Sequence, residues 1–261
     1  MILKSVVVTG IGALTPIGNT APEFWDALVN GVSGCDDIKR FDVSKFKTRF
    51  GCELKGFDPL DFIDKKEIKR LDPFSQYALV CADELVKNSG INLDTIDKDR
   101  IGVIWSSGVG GLHIFEEELS SFSKGDGTPR FNPFFIPKMI VDIAAGLISM
   151  RHNLRGPNFA VVSACATSSN AIVSGLDLLR LGKADIILAG GSEASVNEVS
   201  MGGFNAMKAL SERNDDPSTA SRPYDKDRDG FVIGEAGGVL VIESLQHALA
   251  RSAKIYRELA G

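Results

Sequence analysis

Short apolar runs alternate along the chain with longer segments whose apolar residues recur every three or four positions. The short runs are rich in Val and Ile, which is typical of buried β-strands; they span residues 3–9, 101–106, 159–164, 185–189 and 238–243. Helical spacing separates them, at residues 21–30, 73–88, 138–151 and 166–181. This alternation predicts an α/β fold around a largely parallel sheet.

Two long segments interrupt the alternation, at residues 34–72 and 120–137. Both contain glycine, proline and charged residues. We call them the first and second excursions, because segments of this kind leave the core and commonly carry binding surfaces.

Composition narrows the function classes. The 261 residues are 44% hydrophobic and 24% charged, with a net charge of −5. This length suffices for one large or two smaller domains with a hydrophobic core. The mild acidity argues against general nucleic-acid binding. No apolar segment has the length of a membrane span, and the N-terminal apolar run is too short for a signal peptide.

The cysteines Cys35, Cys52, Cys81 and Cys165 are distant in sequence and show no paired spacing. That pattern is neither a zinc motif nor a secreted disulfide framework. A reduced, cytoplasmic location is therefore expected.

Two short patterns resemble ligand-binding motifs but fail on spacing. Residues 10–18 contain Gly10, Gly12 and Gly18, yet a dinucleotide fingerprint needs its third glycine three residues after the second. Residues 225–230 resemble the start of a calcium loop, but its twelfth position, which needs Glu, is Ala236. A tight turn is predicted for the first, and a turn held by internal ion pairs for the second.

Cys165 ends an apolar run and directly precedes a helical pattern. A sharp strand-to-helix turn would place it at a helix N-terminus, where free N–H groups and the helix dipole stabilise a thiolate and can hold an oxyanion. Its neighbours are small: Ser163, Ala164, Ala166, Thr167 and Ser168. The room they leave favours an acyl-accepting thiol over the alternative, an ordinary buried cysteine.

A cysteine nucleophile normally has a histidine partner. His113 follows two glycines at the start of a helical stretch, His152 lies near a helix end, and His247 lies on a polar helix. None is at a strand end beside glycines, where a base is expected in an α/β sheet. Each is interpreted as a surface or helix-end residue, so the sequence offers a nucleophile without a convincing base.

Ordered motifs extend over most of the chain, at residues 8–18, 107–111, 132–137, 154–158, 163–167, 189–193, 208–217 and 220–234. Together they resemble the N-terminal part of the β-ketoacyl-acyl-carrier-protein synthases of type II fatty-acid synthesis. The resemblance implies the thiolase fold, in which two similar α/β halves pack as five alternating layers. It also implies a homodimer whose partner is acyl carrier protein.

Members of that family continue into a second half, which carries two catalytic histidines, a lysine and a glycine-rich loop with a gating phenylalanine. These motifs are not found in residues 1–261. The resemblance therefore implies an N-terminal β-ketoacyl synthase domain over residues 1–261, with the start of the crossover. The C-terminal half, or a complementary segment, is an expected partner.

The activity implied by the resemblance is decarboxylative Claisen condensation. Cys165 would carry the acyl chain as a thioester and malonyl-carrier protein would extend it, with no metal or organic cofactor. Two alternatives stay open. One is a non-catalytic half-subunit that binds acyl chains or carrier protein; the other is an unrelated cysteine acyltransferase or hydrolase that uses one of the three histidines.

The resemblance also implies substrate and partner contacts. Val109 and Phe204 would line the acyl channel, Phe231 would border the reaction centre, and Phe134 or Phe135 would reach the channel of the neighbouring subunit. Core packing is the alternative for each phenylalanine. The carrier protein would dock on four basic residues, for which solvated surface is the alternative: Lys66, Lys69, Arg70 and Arg130.

Overall fold

The computed structural model describes residues 4–260. Its strands are β1 (Val6–Leu14), β2 (Asp36–Asp37), β3 (Phe50–Gly51), β4 (Ile101–Ser106), β5 (Asn158–Phe159), β6 (Ile186–Glu193), β7 (Ala236–Ser244) and β8 (Arg257–Leu259). Its α-helices are α1 (Ala21–Val29), α2 (Lys65–Ile68), α3 (Pro73–Ser89), α4 (Leu112–Lys124), α5 (Phe135–Met139), α6 (Ile143–His152), α7 (Thr167–Arg180), α8 (Glu198–Ala206) and α9 (Leu245–Ala250).

A six-stranded sheet forms the centre, in the order β5-β4-β6-β7-β1-β8. Strands β5, β4 and β6 are parallel, whereas β7 is antiparallel to both β6 and β1, and β8 is antiparallel to β1. The predicted α/β class is confirmed, but the prediction of a largely parallel sheet is wrong. Since β1, β4 and β6 point the same way, their carboxyl ends meet at one edge, where β7 begins.

Helices cover both faces of this sheet. Helices α3 and α6 pack on one face, in a core that includes Phe74, Leu85, Trp105 and Ile148. Helix α7 packs on the other face through Ala171, Leu176 and Leu179.

Local signals explain where α3 begins and ends. The Asp72 side chain accepts a hydrogen bond from the Phe74 N–H, Pro73 occupies the first helical position, and Gly90 follows the helix with φ +64°. The other Asp72 oxygen accepts from the Ile114 N–H, at 2.9 Å, so one buried carboxyl group caps both α3 and α4.

The strand predicted at residues 3–9 starts on Leu3, which lies outside the described residues, and β1 continues well beyond residue 9. Gly12 lets this part of β1 pass close to α3, because a Cβ at that position would lie only 2.3 Å from the Cys81 carbonyl oxygen. The turn predicted over residues 10–18 is therefore wrong for its first half. It is confined to Thr15–Gly18, whose N–H and carbonyl groups bond each other.

Two other predicted elements differ from the structure. The strand predicted at 159–164 ends at Phe159, because the N–H groups of Val161 and Ser163 donate to the side chains of Ser106 and Thr167 instead of to a strand. The helix predicted at 138–151 is divided into α5 and α6. Helix α5 ends where Ile140 turns extended (ψ 138°).

The excursions contain short elements rather than long loops. The first excursion holds β2, β3 and α2; the start of the second, residues 120–124, belongs to α4. In the turn at 225–230, the Asp227 N–H donates to the Asp225 carboxylate, and Arg222 lies 3.7 Å from Asp229. Within residues 4–260, no cluster of three metal-ligating side chains occurs, and no helix is long and apolar enough to cross a membrane.

Candidate active site

Cys165 lies on a sharp turn between β5 and α7, residues 160–166, which we call the elbow. Ala164–Ala166 form one turn of 3₁₀-helix that continues directly into α7. Ala164 has φ +50°, a left-handed conformation that is rare for a residue with a side chain and is often found at functional sites. Cys165 is exposed, so the alternative of an ordinary buried cysteine is wrong.

Polar contacts hold the elbow in this shape. The Ser163 N–H donates to the Thr167 hydroxyl at 2.9 Å, and the Asn170 amide donates to the Ser163 hydroxyl at 2.6 Å. Gly191 makes room for the helix start, because a Cβ at that position would lie 2.5 Å from the Ser168 hydroxyl oxygen. The strained backbone at Ala164 is thus held in place by contacts of residues before and after Cys165.

The elbow opens into a cavity of about 760 Å³, which we call the Cys165 cavity. The cavity occupies the sheet edge where β1, β4 and β6 end and β7 begins, a usual place for ligands in α/β folds. Its walls comprise residues 13 and 15–17, Phe24, Val32, Gly34, Cys52, residues 106–108, Ala164, Cys165, Thr167, Ser168, residues 191–193 and residues 234–238.

Glu193 is one of the two acidic residues that line the Cys165 cavity. One of its oxygens accepts a hydrogen bond from the Ser107 hydroxyl at 3.0 Å, and the other accepts from the Gly108 N–H at 2.7 Å. Burial raises the pKa of Glu193, while these hydrogen bonds act in the opposite direction. Sequence reasoning missed this residue, although an acidic residue at the end of an apolar strand was a usable signal.

An ion pair supports the part of the wall that contains Glu235. Glu235, which is fully buried, receives two hydrogen bonds from the Arg40 guanidinium, at 2.6 and 2.9 Å. The Leu54 N–H also donates to Glu235 at 2.8 Å. These contacts fix the first excursion against the start of β7. Sequence reasoning missed them too, because they join residues nearly two hundred positions apart.

The three histidines lie elsewhere in the described residues, and none lines the Cys165 cavity. His152 pairs with Asp83 at 3.1 Å and His247 with Glu243 at 2.6 Å. His113 is the second residue of α4 and is part-buried; burial and the nearby Arg40 lower its pKa. These positions match the interpretation of helix-end residues and give Cys165 no histidine partner within residues 4–260.

The residues expected to contact substrate are not among the walls of the Cys165 cavity. The rings of Phe204 and Phe231 meet edge to face, with centroids 5.2 Å apart. Phe135 stacks on Phe131 at 5.6 Å, in an aromatic cluster of the second excursion. Val109 is about half exposed and directly follows the cavity residue Gly108.

The four basic residues expected to dock a partner are all exposed. Lys66 lies on α2, Lys69 caps its C-terminus and Arg70 follows. The Arg70 guanidinium lies 5.2 Å from the centre of the Phe134 ring, which links the two excursions. Arg130 pairs with Asp126 at 3.1 Å.

Comparison with known proteins gives consistent matches. The family model for the N-terminal domain of beta-ketoacyl synthases matches residues 3–248. The 3-oxoacyl-[acyl-carrier-protein] synthase 2 of Synechocystis sp. is 45% identical over 99% of this chain and 62% of its own length. The chloroplastic 3-oxoacyl-[acyl-carrier-protein] synthase I of Arabidopsis thaliana is 44% identical over 99% of this chain and 55% of its own.

Solved structures of ketosynthases also match this chain. The ishigamide ketosynthase/chain length factor superposes with a TM-score of 0.89 at 30% identity, covering 100% of this chain and 63% of that one. A ketosynthase solved with its type II polyketide acyl-carrier protein, AntDE:AntF, gives a TM-score of 0.86 at 31% identity, with the same two coverages. This chain therefore spans less than two thirds of the length of these relatives.

Proposed function

The chain belongs to the beta-ketoacyl synthase family and has the fold of the N-terminal portion of its thiolase-type members, and we propose that it supplies the acyl-accepting part of a 3-oxoacyl-[acyl-carrier-protein] synthase that elongates fatty acids. The observation that carries this proposal is the placement of Cys165. It is an exposed thiol on a strained turn, just before the start of α7, inside a cavity large enough for a substrate.

In the first stage, the Cys165 thiolate attacks the carbonyl carbon of an acyl thioester, and the carrier thiol leaves. The acyl chain is then held on Cys165 as a new thioester. The free N–H groups at the N-terminus of α7 favour negative charge on Cys165. The backbone N–H of Cys165 supplies one donor for the oxyanion.

In the second stage, a malonyl thioester loses carbon dioxide and becomes an enolate. The enolate carbon attacks the carbonyl of the acyl-Cys165 thioester, and the Cys165 thiolate leaves, which gives a 3-oxoacyl thioester. The enolate needs donors that the Cys165 cavity lacks among the described residues. In the proposed enzyme they are two histidines of a complementary C-terminal half.

The proposed partners follow from charge and from this missing chemistry. Acyl carrier protein docks on Lys66, Lys69, Arg70 and Arg130, and the enzyme works as a cytoplasmic homodimer without a metal or organic cofactor. Val109, Phe204 and Phe231 border the acyl channel, and Phe134 or Phe135 reaches the neighbouring subunit. The carrier-protein complex of a related ketosynthase supports the docking partner.

A second function has its own support. No histidine lines the Cys165 cavity in residues 4–260, so a non-catalytic half-subunit that only binds acyl chains or carrier protein also fits the geometry. The two functions differ in whether Cys165 becomes acylated.

Acyl transfer distinguishes them. The chain is incubated with acyl-carrier proteins of several lengths, with and without the C-terminal segment of a relative, and Cys165 is analysed by intact and peptide mass. Acylation in the wild type and none in Cys165→Ser supports the condensing enzyme. Acyl binding that leaves Cys165 unmodified in both mixtures contradicts it and favours the half-subunit.

A further inference from the structure

The short strands β2 and β3 bring two cysteines of the first excursion together. They pair antiparallel, with Asp36 opposite Gly51 and Asp37 opposite Phe50. In that register the next position places Cys35 directly opposite Cys52. Residues directly opposite in an antiparallel pair project from the same face, so both thiols are on one side of the ribbon.

The hydrogen-bond pattern makes this a close pair. The Ile38 N–H donates to the Arg49 carbonyl at 3.1 Å, so 38 and 49 occupy a position of the hydrogen-bonded type, in which the Arg49 N–H donates to the Asn214 side chain instead of back to Ile38. Such pairs alternate along the ribbon, so 35 and 52 form a non-hydrogen-bonded pair, whose Cα atoms are typically about 4.5 Å apart. Disulfides span Cα separations of about 4.4–6.8 Å.

The paired register brings the two thiols close together, and both remain reachable. Both residues are half-buried and neither is in a disulfide, and Cys52 lines the Cys165 cavity, which gives a small molecule access. The hydrogen bond between the thiols raises the pKa of Cys35 and lowers the pKa of Cys52, and the Lys55 ammonium adds to the second effect. Cys52 is therefore the thiol that ionises first.

The two backbones differ in freedom. The Cys52 N–H donates to the Ile233 carbonyl at 2.9 Å, and its carbonyl accepts from the Glu235 N–H at 3.1 Å. Cys35 instead follows the loop 31–34, three of whose residues are exposed. The small movement that bond formation needs can therefore come from the Cys35 side.

We propose that Cys35 and Cys52 form a redox-modification site that reacts with small-molecule disulfides and closes a reversible disulfide beside the Cys165 cavity. The Cys52 thiolate attacks one sulfur of the small disulfide, and one small thiolate leaves. Cys35, after losing its proton to solvent, attacks the Cys52 sulfur, and the second small thiolate leaves. Two protein thiols are oxidised, and one small disulfide is reduced to two thiols.

Cys165 and Cys81 are the possible competitors. Cys165 shares the cavity with Cys52, but it lies on the elbow and not on the paired ribbon. Cys81 is buried in α3, and burial raises its pKa. The register therefore selects Cys35 as the partner of Cys52.

The test incubates the full chain with oxidised glutathione at several ratios to reduced glutathione, followed by alkylation, trypsin digestion and mass spectrometry without reduction. The expected product joins the Cys35 and Cys52 peptides, has lost two hydrogens, and disappears with dithiothreitol. It should form equally in Cys165→Ser, which keeps this result independent of the proposed condensation. A Cys52–Cys165 disulfide, or glutathione left on Cys52 in the wild type, would overturn the proposal.

Single variants separate the two steps. Cys35→Ser should retain glutathione on Cys52. In Cys52→Ser, glutathione should modify Cys35 roughly tenfold more slowly than it modifies Cys52 in Cys35→Ser, because the attacking Cys52 thiolate is absent. The oxidised wild type should also unfold at a higher temperature, because a closed loop limits the unfolded chain. Equal modification of Cys35 in the presence and absence of Cys52 would refute the order of attack.

Discussion

The carboxylate of Glu193 accepts a hydrogen bond from the backbone N–H of Gly108, at 2.7 Å, across the carboxyl ends of neighbouring strands β6 and β4. The loop that follows β4 lies between this carboxylate and the elbow. A Cβ added to Gly108 would be 3.0 Å from the Glu193 carboxylate and 3.7 Å from the Ala164 carbonyl oxygen. Glu193 therefore sets the distance between the loop and the residue before Cys165.

Glu193→Ala should lower the free energy of unfolding by about 1–3 kcal/mol, because the Gly108 N–H and Ser107 hydroxyl lose a buried acceptor. Glu193→Gln should lose less, since its amide oxygen can still accept one of these bonds. Urea unfolding of the three proteins measures the difference. Equal stability of Glu193→Ala and wild type would show that water replaces the carboxylate without cost.

Gly191→Ala should damage the elbow. The new methyl would lie 2.5 Å from the Ser168 hydroxyl oxygen and 2.6 Å from the Ser106 carbonyl oxygen, and the second of these is backbone that cannot rotate away. We expect lower stability, by about 1–3 kcal/mol for overpacking, and slower alkylation of Cys165 by iodoacetamide. Gly238→Ala is the matched control, because it also lines the Cys165 cavity and its Cβ would meet no atom within 4 Å. Equal effects of the two variants would contradict the steric argument.

Replacing Lys66, Lys69 and Arg70 by Glu should weaken acyl-carrier-protein binding at least about tenfold, because three cations of the proposed docking surface become anions. The wild-type affinity should also fall with added salt. Binding is measured by calorimetry at two salt concentrations. Lys87→Glu and Lys183→Glu, at exposed positions elsewhere, supply the control. Unchanged affinity in the triple variant would remove these residues from the docking surface.

Cys165 shows how far the sequence could go. The change from an apolar run to a helical pattern indicated a turn with a thiol at a helix N-terminus, and the structure has both features. The left-handed Ala164 could not be predicted, because small residues such as alanine carry no sign of that conformation.

The sheet shows why other predictions failed. Apolar runs indicate strands but not their directions, so the antiparallel β7 was not distinguishable from a parallel strand. The run at 159–164 was apolar enough for a strand, yet the Ser106 and Thr167 side chains take its N–H groups. Similarly, the Arg40–Glu235 pair depends on contacts between residues far apart in sequence.

Asp72 should make the stability depend on pH. Burial raises its pKa from the ordinary value of 3.8 to about 7, with Lys138 acting in the opposite direction. Between about pH 4 and 7 the folded chain therefore holds a proton on Asp72 that the unfolded chain has lost. The resulting contribution to stability is fully present below about pH 4 and is lost as the pH rises through 7. At about 1.4 kcal/mol per pKa unit, the loss is at most about 4 kcal/mol.

Asp72→Asn keeps the shape of the side chain but cannot titrate. Its unfolding free energy should start lower, because the amide offers only one acceptor oxygen, and should vary less between pH 4 and 8 than that of the wild type. Denaturant unfolding across this range gives the comparison. Identical pH profiles would show that Asp72 keeps an ordinary pKa when folded.

The outer side of α7 leads to the last prediction. Ala171, Leu176 and Leu179 pack on the sheet, but Val173 and Leu181 remain exposed, at 49% and 66%, and Val162 of the elbow is 57% exposed. Exposed apolar groups at this density mark an interface or a tendency to aggregate. We therefore expect residues 1–261 expressed alone to self-associate, and to become monodisperse when co-expressed with the segment that completes its relatives.

Light scattering after size-exclusion chromatography, over a range of concentrations, measures this. Val173→Glu combined with Leu181→Glu should reduce self-association, because charge on the patch opposes its burial, while Met150→Glu, an equally exposed residue on α6, should not. A monodisperse monomer at every concentration would contradict the argument from packing. Condensation of acyl- and malonyl-carrier protein by residues 1–261 alone would contradict the assignment of the essential histidines to another segment. In that case His113, His152 or His247 would have to take part in condensation.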